Sequence, residues 1–109
     1  MEALTMNVPE KIKLYEDFVD VFSDMMAAPG AKPGKVKALG QRLSRIGIKL
    51  FVMAPDSVVK AYLKWRALAM AGDNPEAIMQ AYSEALLEMR KDLNGETVLG
   101  TDTAMDLWG

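Results

Sequence analysis

The sequence predicts an all-α protein, an up-and-down bundle of about four helices closed by a short C-terminal helical turn. Two observations carry this. Apolar residues step by three and four through four separate segments, the period of one helical face. Between those segments stand Pro29 to Gly34 (PGAKPG), Pro55, the Gly72 to Pro75 run and Asn94-Gly95, where helices stop. With 109 residues, 50% of them apolar and 26% charged, the chain has the length and balance of one globular domain. Helices are expected near 8–28, 35–53, 56–70 and 75–93, with a turn over 102–108.

The first helix is expected to start near Asn7. There N-V-P-E offers a side-chain acceptor, a proline for the first turn and a glutamate three residues on. Leu14, Phe18, Val21 and Met25 form its stripe, widened by Ile12, Tyr15, Val19, Phe22 and Met26. So wide a stripe predicts cover on more than one side.

Residues 35–53, KVKALGQRLSRIGIKLFVM, place Val36, Leu39, Leu43, Ile46, Leu50 and Met53 on one helical face. The IGIKLFV part also alternates with the period of a strand. A lone strand needs a hydrogen-bonding partner, and ETVLGT, the only other β-like segment, is short and broken by glycine, so helix is the expectation. Gly40 and Gly47 then share a face that a neighbouring helix can approach closely.

Pro55 ends this helix and opens the next, with Asp56 and Ser57 in its first turn. The third helix sets Val58, Tyr62, Trp65 and Ala69 on one face and Lys60, Lys64 and Arg66 outside it. Gly72 closes it, and Asp73 with Glu76 is expected to cap the fourth. That helix carries Met79, Tyr82, Leu86, Met89 and Leu93, and ends at Asn94-Gly95. In the tail, Thr101 or Thr103 is expected to cap a last turn, with Leu107 and Trp108 tucking back.

Neither cysteine nor histidine occurs. That excludes the usual zinc, iron–sulfur and disulfide sites, cysteine nucleophiles and any Ser/His/Asp arrangement. We therefore expect no enzyme, no catalytic residues, no metal ligands and no cofactor. No run of eighteen apolar residues is present, and MEALTMNVPEK lacks the charge and apolar core of a secretory signal. A cytoplasmic location is the expectation, with no membrane span.

Charge is segregated along the chain. Residues 1–29 carry two basic and six acidic side chains, 30–66 nine and one, and 67–109 two and eight, for a net charge of −2. On a helix, Arg42, Arg45 and Lys49 share a face, as do Asp17, Asp20 and Asp24. A six-residue connection favours an antiparallel hairpin that brings Asp24 near Arg42 and Asp17 near Lys49. Mutual neutralisation is the leading expectation. Nucleic-acid association through the basic helix 35–49 is the alternative; Phe51 is the only aromatic between Phe22 and Tyr62 and no base-reading set accompanies the cations. Membrane-surface binding ranks lower, since this helix lacks the tryptophan of an interfacial anchor.

Of the nine methionines, Met25, Met53, Met79 and Met89 fall on core stripes, whereas exposure of Met26, Met70 and Met105 together would make a soft groove for a partner. Glu84 and Glu88, one turn apart, lie off the stripe of their helix and read as a solvated face rather than a metal or acid–base pair. Tyr62 and Trp65 read as core anchors. Arg90, in Arg90-Lys91-Asp92, suits a helix C-terminus or a lock on Asp17 or Asp20. Together these features predict a non-catalytic interaction or self-association module, a homo-oligomer or the partner of another helical protein, with Gly40, Gly47, Arg42, Arg45 and Lys49 as its contact residues.

The runs LFVMAPDSVVKAYLKWR and LLEMRKDLNG, the close AMDLWG and the first-helix segment KLYEDFVDVF resemble a group of uncharacterised bacterial helical domains. Members enter a helix through a Ser-Asp-Glu-Val type start, place an aromatic in the next helix and end on Met-Arg-Lys-Asp-Leu, here Met89 to Leu93. Pro55 stands where the group often has a serine cap and Ser57 where it often has glutamate. The resemblance implies an all-helical fold without an assigned activity. Some members sit beside membrane-spanning or coiled-coil segments, which would make the domain an attachment module; neither kind of segment occurs in these 109 residues.

Overall fold

The computed structural model describes residues 2–27, 33–95 and 100–107. The protein is all-α. It contains α1 (Glu2–Ala27), α2 (Pro33–Met53), α3 (Asp56–Ala71), α4 (Pro75–Asn94) and a short α5 (Thr101–Asp106), and no strand occurs among the described residues. The chain divides into two compact units, Met1–Met53 and Ala54–Gly109. No described helix is long and apolar enough to cross a membrane.

In the first unit α1 and α2 pack antiparallel, as the Asp24–Arg42 contact and the grouping of Asp17 with Arg45 and Lys49 require. The helix at IGIKLFV prevails over the strand, with Leu43, Ile46 and Leu50 buried. On α1 the buried stripe is Leu14, Tyr15, Phe18, Val21 and Phe22. Lys11 lies on the same stripe and is also buried, which its charge gave no reason to expect.

Three expectations for this unit are corrected. The first helix begins at Glu2, not near Asn7, with Pro9 inside it. Glu, Ala, Leu and Met at positions 2–6 are strong helix formers, and the helix continues through them although Pro9 removes one backbone bond. The second helix starts at Pro33, because proline at the first helical position gives up an N–H that has no intrahelical partner there. The wide stripe of α1 is covered only in part: of the residues that widen it Tyr15 and Phe22 are buried, whereas Ile12, Val19 and Met26 are exposed, and so is Val36 on α2. Ala28 and the rest of the break at 29–32 lie outside the described residues.

The second unit is an antiparallel α3–α4 pair with α5 packed on α4. Pro55 precedes α3 in extended geometry, and its carbonyl accepts from the backbone N–H groups of Val58 and Val59. Gly72 closes the helix at φ +69°, a left-handed conformation only glycine adopts without strain, and donates to the Leu68 carbonyl at 3.0 Å. The cap of α4 is Asn74, not Asp73: its Oδ1 accepts from the Ala77 N–H at 3.0 Å, which sets Pro75 at the first helical position.

Val58, Tyr62 and Trp65 of α3 and Tyr82 and Met89 of α4 are buried as their stripes predict. The Trp65 ring lies 5.8 Å from that of Tyr62 and 6.2 Å from that of Tyr82, both tilted, within the range of favourable aromatic pairs. Burial pushes the Tyr62 hydroxyl up to about 12, against the opposing pull of Arg66. Ala81, Ser83 and Ala85 are buried beside the predicted stripe, and the Ser83 hydroxyl donates to the Met79 carbonyl at 2.9 Å. One serine and two alanines carry too little hydrophobicity to register as core.

At the C-terminus Gly100 precedes α5, so Thr101 is the first helical residue and neither threonine caps by its side chain. Leu107 is exposed rather than tucked in, and so is Leu93. Trp108 lies outside the described residues.

Candidate interaction surface on α2

One ion pair closes the acidic and basic rows of the hairpin. Arg42 donates to Asp24 Oδ2 at 2.6 Å, with the two side chains 37% and 54% exposed. The remaining members do not meet. Asp17, Arg42, Arg45, Ile46 and Lys49 line an open depression of about 220 Å3, and Arg45, Lys49, Asp17 and Asp20 enter no ion pair among the described residues. Arg45, Lys49 and Asp20 are exposed. Among the described residues neutralisation is thus realised at Asp24 and Arg42, leaving Arg45 and Lys49 of the basic row exposed on α2.

Beside them lies a feature the periodicity did not announce. Ile48, Phe51 and Val52 are 68%, 79% and 74% exposed. At about 100° per residue they share one outward face, with Ile48 central, Val52 about 40° to one side and Phe51 about 60° to the other. Arg45 and Lys49 fall on the Val52 side at about 60° and 100°, toward α1, and Gly40 and Gly47 fall on the Phe51 side at about 80° and 100°. Among the described residues a Cβ built on Gly40 would meet no atom within 4 Å, so none of them exploits its small size; Gly47 is half-buried. The signal for this face was present in the sequence. IGIKLFVM holds six large apolar residues in eight, of which the helical stripe buries Ile46 and Leu50 and half-buries Met53.

The other candidates are distributed elsewhere. Glu84 pairs with Lys64 at 3.1 Å and Glu88 with Lys91 at 3.4 Å, so each carboxylate is held by a cation. Arg90 belongs to the second unit, where it lines a mainly apolar crevice of about 140 Å3 between α4 and α5 with Leu86, Leu87, Thr103 and Leu107. Asp17 and Asp20, its candidate partners, stand on α1 of the first unit. Met89 is buried, Met25, Met53, Met79 and Met105 are half-buried, and Met26 and Met70 are exposed on separate units. No group of three or more Asp or Glu side chains among the described residues is arranged to hold a metal ion.

No protein-family model matches the chain, and no curated protein or solved structure shows significant similarity to it. The likeness to bacterial helical domains rests on the quoted sequence runs.

Proposed function

We propose that the protein is a non-catalytic helical interaction module and that the outward face of α2 is its docking surface. The observation that carries this is the exposure of Ile48, Phe51 and Val52 on adjacent turns. Large apolar side chains scattered singly on a surface are ordinary, whereas three adjacent ones rimmed by charge mark a contact site. A helix is the natural occupant, since a ridge of this shape matches the grooves of a second helix. The absence of histidine and cysteine and the pairing of Glu84 and Glu88 with lysines support the non-catalytic character.

The test is a photocrosslinking amino acid in place of Phe51 in cells that express the protein. A covalent adduct with a polypeptide, either a second copy or another protein, is the expected result. Irradiation that yields no adduct, with an adduct-free control at exposed Lys60, removes the docking role of this face.

A further inference from the structure

We infer that the occupant of the α2 face is α1 of a second copy, so that two hairpins pack outer face to outer face around a two-fold axis parallel to the helices. This rests on the interaction reading above and names its partner. The chain itself carries the complementary surface. Ile12, Val19 and Met26 recur every seven residues on α1 and are exposed, and the exposed acids Glu16 and Asp20 lie between this stripe and the α2 side of the helix. On α2 the order is mirrored in charge: an apolar cluster, then Arg45 and Lys49 on the α1 side.

A two-fold axis along the helices keeps every residue at its own level and sets α1 of one copy over α2 of the other. The Asp24–Arg42 pair fixes those levels. Glu16 of one copy then lies level with Lys49 and Leu50 of the other, Asp20 with Arg45 and Ile46, Val19 with Gly47 and Ile48, and Met26 with the open flank of Gly40. Apolar residues meet on the outer edge and unlike charges on the inner edge, at both symmetry-related contacts. Rotating the second copy so that α2 lies on α2 brings Arg45 and Lys49 of both copies together. A bilayer is a poorer occupant, because a flat anionic surface that touches α2 also meets Glu16 and Asp20. Two helices of about 20 residues present a face of about 30 by 20 Å, or about 600 Å2 per copy, the lower end of stable interfaces. Dissociation in the micromolar range is expected.

Sedimentation equilibrium of the full chain from about 5 to 500 µM tests this, with Lys49→Glu and Glu16→Lys as variants. Each variant alone sets like charges against each other at both contacts and is expected to weaken dimerisation at least about tenfold. An equimolar mixture of the two restores an unlike pair at both contacts, so mixed dimers are expected to form where neither variant dimerises alone. Stability changes in the single chains do not produce that rescue. Wild-type protein that stays monomeric throughout, or a mixture no more associated than its components, overturns the proposal. If the monomer crosslinks another polypeptide through position 51, the docking role survives and the second copy does not. If it floats with vesicles containing phosphatidylserine, the face belongs to a membrane.

Discussion

Replacement of Phe51 by alanine tests the foundation of the docking surface, since it asks whether that ring contributes to the fold. A phenylalanine buries about 200 Å2 when fully enclosed. At 79% exposure, about 40 Å2 is covered, which at about 25 cal/mol per Å2 amounts to about 1 kcal/mol. Alanine returns about 0.5 kcal/mol through its higher helix propensity, so the net loss is expected to stay below about 1 kcal/mol. Truncation of the fully buried Trp65 is expected to cost about 3 to 5 kcal/mol. Urea denaturation followed by circular dichroism separates the two, provided the protein is dilute enough, about 2 µM, that association adds little by mass action. A loss above about 2 kcal/mol for Phe51→Ala would show the ring to be core, and the surface built on it would vanish.

Three further outcomes follow from local geometry. Asn74→Ala removes the side-chain acceptor for the Ala77 N–H and is expected to cost about 1 kcal/mol in the same assay, whereas Asp73→Ala costs a few tenths. A double-mutant cycle on Asp24 and Arg42 is expected to give a coupling of about 0.2 to 1 kcal/mol that shrinks as salt rises, because both side chains are partly solvated; a zero coupling at low salt would remove the register on which the hairpin levels depend. Tyr62 is neutral in the folded state up to about 12, against 10.0 for the ordinary phenol. The unfolded chain ionises first, so the stability from burying this hydroxyl is complete below pH 10 and lost as pH rises toward 12. Absorbance at the phenolate band is expected to show at least one late tyrosine, and titration of all three near pH 10 without unfolding would contradict the burial of Tyr62.

The helices were legible because their signals are local. Pro55, Gly72, Asn94 and Gly95 punctuate the chain by covalent geometry and backbone strain, which any fold must obey. The Tyr62–Trp65 anchor followed from the spacing of two large aromatics. Choices between adjacent residues with equivalent chemistry were less legible: Asp73 and Asn74 are both good caps, and only the packing of Pro75 into the first turn selects one. Depth of burial was least legible, since it depends on where neighbours stop. Ile12, Val19 and Met26 continue the α1 stripe in sequence yet stand exposed, Lys11 is buried within the same stripe, and Ser83 is a buried polar residue that no hydropathy count picks out. For the α2 surface, the spacing of the cations against Asp17 and Asp24 was legible in the sequence, while the exposure of Ile48, Phe51 and Val52 was not, because the core takes only Leu43, Ile46 and Leu50 from this run.

The same geometry bears on nucleic-acid association. With Arg42 tied to Asp24, the other cations exposed on α2 among the described side chains are Lys37, Arg45 and Lys49. If all three met phosphates on duplex DNA, the slope of log affinity against log salt would be about −2.7, so raising salt from 50 to 200 mM would weaken binding about 40-fold. Proteins that bind through six to ten phosphate contacts lose about 10³ to 10⁵ over that range. Asp17, beside Arg45 and Lys49 in the same depression, lowers the local potential further. A fluorescence-anisotropy titration with generic duplex is therefore expected to show no binding at 200 mM salt and at most weak binding at 50 mM. A slope steeper than about −4.5 would exceed what all the basic residues of this helix can supply and require cations beyond it, and it would turn the face proposed for a second copy of the chain toward a nucleic acid instead.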